Sequence, residues 1–498
     1  MIAHIPDEIW LVIFDHLATS KLPTTNHHFT DYLVEERLKQ ETLARLCRTC
    51  KCFQHLADPI LYSAFIKLDH DCKEVRPKAG VTGAQRPNRA FRSFLRTILE
   101  RPYAAKMVKT IVLGSWETTH SLRALNMKPC PQQRDLSRLV RDNRLPLLMT
   151  CKEPCYNDLS SGDEDAEIAL LLALLTNVEN LAIAISNSLS SPGLRPHYHT
   201  VLARTVKLSR QDDLRHRPFS KLDHLSVFCR SNNVVTPFYP ISDFLDLPLL
   251  KTFHGSGIFD YPSHWGPGAC TPRKSAVDKI VLKDSLLSEG ALTMLTNSCK
   301  SLREFSLSTG RMQHQLDISW VGAKKALAGQ AQNLERLTLN LQPRAFLRGP
   351  VQSSLGDMSA FTALTTLAVH FHAIVDGKGA YQMDLVRFLR SLSPLVTRLI
   401  IYDVYALSAP QTLNIFLDGL CSLKRSSAST LSWLELIGTA EPGRGRLEKR
   451  LINTCHKKLT AVGITFMCMA NPKQPSASAL TYVRLHQVND FLLEHVLQ

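Results

Sequence analysis

The segment Leu334-Glu335-Arg336-Leu337-Thr338-Leu339 carries apolar residues at its first, fourth and sixth positions, and this spacing recurs along most of the 498-residue chain. Copies of the pattern begin at Val108, Val178, Leu222, Leu250, Val277, Leu302, Leu334, Leu364, Val396, Leu431, Leu459 and Leu480. From Leu250 onward the starts lie about 21 to 35 residues apart. The intervening stretches 286–298, 320–331, 385–392 and 412–423 have helical spacing. A strand followed by a helix at a recurring period predicts a parallel α/β solenoid, because each repeat buries its apolar residues against its neighbours.

The repeats resemble the irregular leucine-rich repeats that are fused to F-box domains, particularly in fungi. The stretches 94–102 and 165–175 fit the same group. This resemblance implies an α/β fold in which a curved leucine-rich-repeat solenoid with parallel strands occupies residues 105–498, after a linker helix region at 69–104. Stretches rich in Pro and Gly near 118–162 and 254–274 break the period and predict insertions.

The N-terminus has the signals of an amphipathic helix. Pro6 suits the first turn, where a missing N–H is no loss, and Asp7 and Glu8 complement the positive end of the helix dipole. Ile9, Ile13 and Leu17 then recur at four-residue spacing with Phe14 beside them, and they predict one apolar stripe. A module of about sixty residues has little core, so we expect a partner to complete this stripe.

The same segment, Ile5-Pro6-Asp7-Glu8-Ile9, and a second block downstream resemble an F-box. The second block matches the family at Leu46, Cys47, Lys51, Phe53, Leu56, Ala57, Pro59, Leu61 and Tyr62. The resemblance implies an all-α F-box-like domain at residues 1–68 that binds the Skp adaptor of a cullin ubiquitin ligase core. The residues expected to contact Skp are Ile5, Pro6, Ile9, Ile13, Phe14, Leu17, Leu46 and Phe53. The connection at 18–40 is longer than is usual in the family, which puts the strength of Skp docking in question.

The resemblance implies a non-catalytic substrate-recognition adaptor of an SCF-type ubiquitin ligase, with an unidentified protein substrate held on the solenoid. Two other functions fit the same sequence. One is a scaffold or interaction protein outside ubiquitination. The other is a basic nucleic-acid or chromatin binder, favoured by the net charge of +15, although the charge is spread along the chain and a nucleic acid is not the expected partner.

The residues between the apolar positions of each strand lie on its opposite face, because side chains alternate along a strand. Large aromatic and Arg side chains occur there, and these types anchor protein interfaces. We expect this face to be exposed, with the substrate-binding candidates Arg336, Asn340, His370, Arg398, Tyr402, Trp433 and Glu435.

Other patterns give little support to an enzyme or a metal site. The chain lacks G-x-S-x-G, H-E-x-x-H and G-x-x-x-x-G-K-[ST] motifs, and we expect no enzyme activity and no cofactor. Cys47, Cys50, Cys52 and His55 fall on different faces of the predicted helix, so structural thiols are favoured over a metal site. Asp163, Glu164, Asp165 and Glu167 are expected to form an acidic loop. Thirteen scattered Cys and the absence of a long apolar run favour a reducing compartment, cytoplasmic or nuclear, with no membrane contact.

Overall fold

The computed structural model divides into two compact units, Met1–Thr271 with Ser275–Val277, and Pro272–Lys274 with Asp278–Gln498. It describes residues 6–18, 22, 29–67, 89–114, 159, 163–185, 217–229, 236–237, 242–260, 270–309, 319–341, 354–374, 381–402, 410–425, 429–437 and 449–469. The predicted repeat copy at Leu480 and, apart from Leu159, the predicted insertion at 118–162 lie outside these residues.

Three helices begin the first unit, namely α1 (Asp7–Asp15), α2 (Phe29–Leu46) and α3 (Lys51–Leu61). Helix α1 starts after Pro6 with two acidic residues in its first turn, as expected from the sequence. The N-cap of α3 is Cys50, whose sulfur accepts a hydrogen bond from the backbone N–H of Phe53 at 3.4 Å. The core of this three-helix module consists of Phe14, Leu43, Leu56 and Ala57.

The rest of the first unit alternates strands and helices. Its elements are β1 (Ala64–Lys67), α4 (Arg89–Glu100), α5 (Pro102–Met107), β2 (Thr110–Leu113), α6 (Glu164–Leu174), β3 (Asn180–Ile185), β4 (His224–Cys229), β5 (Thr236–Pro237), β6 (Thr252–Ser256) and β7 (Ile258–Phe259). Strands β1, β2, β3, β4 and β6 pair in parallel and in chain order. The short strands β5 and β7 pair separately.

The second unit repeats the same arrangement more regularly. Its elements are β8 (Lys279–Lys283), α7 (Glu289–Ser298), β9 (Glu304–Ser308), α8 (Trp320–Leu327), β10 (Arg336–Asn340), β11 (Thr366–His370), α9 (Tyr381–Arg390), β12 (Arg398–Tyr402), α10 (Pro410–Arg425), β13 (Trp433–Ile437), α11 (Lys449–Thr460) and β14 (Thr465–Met469). Strands β8 to β14 are parallel and also follow chain order. The described residues therefore form a mixed α/β fold with eleven α-helices and twelve parallel strands in chain order, five in the first unit and seven in the second.

The strand register confirms the spacing of the repeat. Phe305 lies opposite Leu337, and Leu337 lies opposite Leu367, so equivalent positions form a row across the strands. The row continues through Leu399 and Leu434, and its members are fully buried. Strands β9 to β13 therefore bury the residues that the pattern marks as apolar.

Two expectations about the elements are wrong. The copy placed at Leu459 belongs to the end of α11 and the turn after it, while the strand is β14. The last turn of an amphipathic helix mimics the repeat spacing, and the turn passes through Gly463 at φ +74°. Strand β6 corresponds to the copy predicted at Leu250 and extends to Ser256, so it includes the first residues of the stretch 254–274 that was expected to be an insertion. Strand β1 was not expected at all, since residues 64–67 fell within the predicted helical module.

The expected acidic loop is also wrong, because Asp163 to Glu167 start helix α6. Asp163 is the N-cap, and its carboxylate accepts a hydrogen bond from the N–H of Asp165 at 2.8 Å. All four acidic side chains are buried. Cationic partners offset part of the cost of burying these carboxylates, since Lys67 lies 3.7 Å from Glu164 and Arg92 donates a hydrogen bond to Glu167 at 3.0 Å.

Candidate functional site

Helix α1 presents apolar side chains to solvent. The exposed fractions are 51% for Ile9, 42% for Leu11, 62% for Val12 and 45% for Ile13. Ile9, Val12 and Ile13 are related by three- and four-residue spacing and lie on one side of the helix, which we call the α1 face. Single exposed apolar residues are ordinary on a protein surface, but several on one short helix indicate an interaction site.

The opposite side of α1 anchors the helix to the module. Trp10 and Phe14 pack against Phe53, with ring centroids 4.7 Å and 5.4 Å from it, both in edge-to-face geometry. Phe14 is 1% exposed and belongs to the module core. The α1 face is therefore not needed to hold the helix in place.

The predicted Skp-contacting residues separate into two groups. Pro6, Ile9 and Ile13 are exposed, as expected for docking residues. Phe14 is buried in the module core, so the expectation that it contacts a partner is wrong. Leu17, Leu46 and Phe53 pack against that core but are only partly buried, and their contact with Skp stays a prediction. Ile5 lies outside the described residues. Sequence reasoning missed Val12, although its three-residue spacing from Ile9 marks the same face.

Described residues of the long connection at 18–40 pack against strands of the first unit. Leu22 and the partly buried Tyr32 contact an apolar cluster formed by Ile66, Val112, Ala182, Ala184 and Phe228. Burial, together with Glu36 and Glu35 nearby, raises the pKa of Tyr32. Gln40 donates a hydrogen bond to the backbone carbonyl of Ala64 at 3.0 Å, which ties α2 to β1. Leu22, Tyr32 and Gln40 therefore join this part of the chain to the strands of the first unit.

The substrate-binding candidates on the strands are less exposed than predicted. Arg336 is half exposed and lies 3.7 Å from Glu304. The expectation of exposure is wrong for Asn340, His370, Tyr402 and Glu435, all of which are buried. The reason is the composition of the neighbouring positions on this face, because Ala368, Ile400 and Ile437 form an apolar cluster with Tyr402.

Arg398, Trp433 and Glu435 come together on adjacent strands. Arg398 lies opposite Trp433 in the register of β12 and β13, with its guanidinium carbon 5.3 Å from the centroid of the indole. Its Nη2 donates to Oε2 of Glu435 at 2.9 Å, while the Glu435 side chain is fully buried and that of Arg398 is 23% exposed. A buried charge is tolerated when it is paired in this way.

Each member of this cluster also has a polar atom that is buried and without a hydrogen-bond partner in the described part of the chain. These atoms are Nε of Arg398, Nε1 of Trp433 and Oε1 of Glu435. An unsatisfied buried polar group costs about 1 to 3 kcal/mol of stability. The cluster therefore has a defined capacity for hydrogen bonding that the surrounding side chains leave unused.

The described side chains offer no grouped set of ligands for a metal ion. Among the described residues, no three or more His, Cys, Asp or Glu side chains are grouped so that they could hold a metal ion. Burial raises the pKa of Cys47 to about 11, which disfavours the thiolate that a metal would need. No described helix is long and apolar enough to cross a membrane.

Neither the protein-family models nor the curated proteins contain a match to this chain.

Proposed function

We propose that this chain is a substrate-recognition adaptor of an SCF-type ubiquitin ligase. In this proposal the three-helix module is F-box-like and binds Skp through the α1 face, and the strand–helix repeats are a leucine-rich-repeat solenoid that holds a protein substrate. The observation that carries the proposal is the α1 face itself, three large apolar side chains on a helix that is anchored by its other side.

The energetics of the α1 face favour a partner. Fully burying one Ile or Val side chain contributes about 1.5 to 3 kcal/mol. Ile9, Val12 and Ile13 are each about half exposed, so covering all three would contribute roughly 2 to 5 kcal/mol by the same scale. An apolar helix face that docks into a groove is a common mode of recognition.

The repeats support the second half of the proposal. Parallel strands in chain order, each followed by a helix in most repeats of the second unit, are the arrangement that a solenoid requires. An adaptor of this kind supplies no chemistry of its own. It accelerates ubiquitin transfer because it keeps the substrate at high effective concentration near the conjugating enzyme.

The test is a double substitution, Ile9→Glu with Ile13→Glu, in the full chain. Both positions are exposed, so we expect the fold to be kept while capture of a recombinant Skp adaptor is lost. Val321→Glu is the matched control, because Val321 is 40% exposed on helix α8 of the second unit. Undiminished Skp capture by the double variant would refute the docking assignment. Capture of Skp without cullin by the wild-type chain would favour the scaffold function instead.

A further inference from the structure

The last three helices of the second unit carry basic side chains near their C-terminal ends. These side chains are Arg387 and Arg390 on α9, Lys424 and Arg425 on α10, and Lys457 on α11. All are exposed except Lys424, which is half-buried. None of them has an ion-pair partner among the residues that the structure describes. We call these five residues the basic rim.

The path of the chain brings the basic rim to one edge of the sheet. Strands β12, β13 and β14 are parallel neighbours, and at most seven residues separate the end of each preceding helix from the start of its strand. The turns before the strands are joined, since Thr430 donates a hydrogen bond to the backbone carbonyl of Pro394 at 2.7 Å. Burial raises the pKa of the Cys421 thiol and the charges of Arg425 and Lys458 oppose the rise, so the last turns of α10 and α11 lie close together.

Acidic side chains are scarce around the basic rim. The described residues between 381 and 469 include nine Lys or Arg but only three Asp or Glu. Asp418 pairs with Lys458 at 2.9 Å. Glu435 is buried and pairs with Arg398. Asp384 belongs to the first half of α9, away from its last turn. The described acids therefore leave the positive charge of the rim largely uncompensated.

Helix stability alone does not explain this surface. A cation in the last turn complements the negative end of the helix dipole, and α8 shows the same preference with Lys324 and Lys325. In α8, however, Lys325 pairs with Glu289 at 3.0 Å, and Lys324 donates a hydrogen bond to the backbone carbonyl of Asp357 at 3.2 Å. The earlier repeat thus engages its cations within the chain, whereas the last three repeats leave theirs accessible to an outside anion.

The uncharged surface beside the basic rim favours a polypeptide over a nucleic acid. Leu395, in the turn before β12, is 49% exposed and offers an apolar contact next to the cations. Sites for single-stranded nucleic acids use aromatic side chains on which the bases stack. In the second unit, no Phe, Tyr or Trp whose side chain the structure describes is exposed.

We propose that the basic rim binds an acidic polypeptide segment that also carries apolar side chains. Carboxylates of the segment pair with the exposed cations, and an apolar side chain covers Leu395. Helix α9 packs on α10 and α10 on α11, and packed helices lie about 8 to 10 Å apart, so the rim spans roughly 20 Å. An extended segment of about six to eight residues covers that length.

This surface gives the substrate of the proposed adaptor a chemical class, and its biological role rests on that proposed function. Binding of the segment does not itself require Skp. The α1 face belongs to the first unit and the basic rim to the second.

The test measures fluorescence anisotropy of a fluorescein-labelled peptide, Glu-Glu-Leu-Glu-Glu-Leu-Glu-Glu, with the full chain. Two control peptides replace every Glu by Gln or every Leu by Ser, and an oligothymidylate of the same length is the nucleic-acid probe. We expect saturable binding of the acidic peptide that weakens at high salt, because salt screens exposed charges. The Gln peptide should not bind, and the Ser peptide should bind more weakly than the parent peptide.

A quadruple substitution locates the surface: Arg387→Gln, Arg390→Gln, Arg425→Gln and Lys457→Gln. We expect it to weaken peptide binding at least about fivefold, since each exposed ion pair contributes a factor of roughly 1.5 to 5. The matched control removes the same net charge from exposed cations elsewhere and should bind like the wild type; it is Arg101→Gln, Lys106→Gln, Lys221→Gln and Lys300→Gln.

Leu395→Ser tests the apolar contact and should weaken binding about threefold or more, because Leu395 is only half covered before the peptide binds. Leu249→Ser is its control, since Leu249 also follows a Pro in the turn before a strand, in the first unit, and is 52% exposed. Leu249→Ser should leave binding unchanged.

The proposal is overturned if the acidic peptide does not bind, if the Gln peptide binds equally well, or if the two quadruple variants bind alike. Tighter binding of the oligothymidylate, lost on the same four substitutions, would assign the basic rim to nucleic acid instead. Thermal unfolding shows whether each variant is folded. If the quadruple variant is not, Arg387→Gln with Arg390→Gln decides, against Arg101→Gln with Lys106→Gln. The Ile9→Glu, Ile13→Glu chain should bind the peptide like the wild type, so the two proposals fail separately.

Discussion

Glu167 is expected to make the stability of the first unit depend on pH. Its side chain is fully buried in the first turn of α6, and burial raises its pKa from 4.5 to about 7, against the opposing effect of Arg92. Glu164 and Asp163 nearby raise the pKa further. The folded state therefore keeps a proton that the unfolded chain loses between these two values.

A pKa that differs between the folded and unfolded states makes the free energy of unfolding depend on pH. Because the pKa is raised on folding, the contribution to stability is favourable at low pH and is lost as pH rises from about 4.5 to about 7. One pKa unit corresponds to about 1.4 kcal/mol, so between pH 5 and pH 8 the wild type loses about 2 to 3 kcal/mol through this one group. Glu167→Gln removes the titration while its amide oxygen can still accept from Arg92.

The assay is urea unfolding of the full chain at pH 5 and pH 8, followed by circular dichroism. We expect Glu167→Gln to gain stability relative to the wild type at pH 8 by about 2 to 3 kcal/mol more than at pH 5. The control is Glu304→Gln on β9, which removes a partly exposed ion pair with Lys279 of β8 at 3.0 Å and should cost no more than about 1 kcal/mol of stability. An equal effect of Glu167→Gln at both pH values would show that the buried carboxylate is ionised throughout and that the reasoning is wrong.

Two further predictions concern the cores. Leu337→Ala should lower the free energy of unfolding by about 2 to 5 kcal/mol, because Leu337 is fully buried, whereas Arg336→Ala beside it should cost under about 1 kcal/mol in the same urea titration. Equal costs at the two positions would contradict the strand register. Phe14→Ala should lower the stability of the three-helix module by about 3 to 5 kcal/mol and abolish Skp capture. Phe14→Leu should keep much of the stability and much of the Skp capture. A Phe14→Ala chain that still captures Skp would show that α1 does not need Phe14 as its anchor.

The row of buried residues through Leu337 and Leu399 could be predicted because it depends only on the local sequence. Each strand repeats the same apolar spacing, and parallel pairing in register places equivalent positions side by side. The misplaced last copy shows the limit of this reasoning. Leu459, Val462 and Ile464 have the spacing of a strand repeat, but the first of them is a buried residue at the end of a helix.

The second face of the strands could not be predicted, because its burial depends on residues far away in the chain. Alternation along one strand identifies the two faces but not what covers them. In the first unit Leu22 and Tyr32, from the long connection at 18–40, pack on that face. Trp433 was expected to be exposed and is half-buried, and the buried state of Glu435 beside it has no local signal in the sequence.

The packing of Leu22 and Tyr32 onto the first strands has a consequence for where the chain can be cut. Residues 1–68 were predicted to form a separate module, yet Ala64–Lys67 is the outermost strand of the first unit's sheet. Removal of this segment would uncover both the pairing edge of β2 and the apolar side chains of Val112 and Ala182. An uncapped parallel edge beside exposed apolar surface is a template for aggregation. The N-terminal segment therefore also covers these apolar side chains, and we expect a chain without it to lose solubility as well as the proposed docking helix.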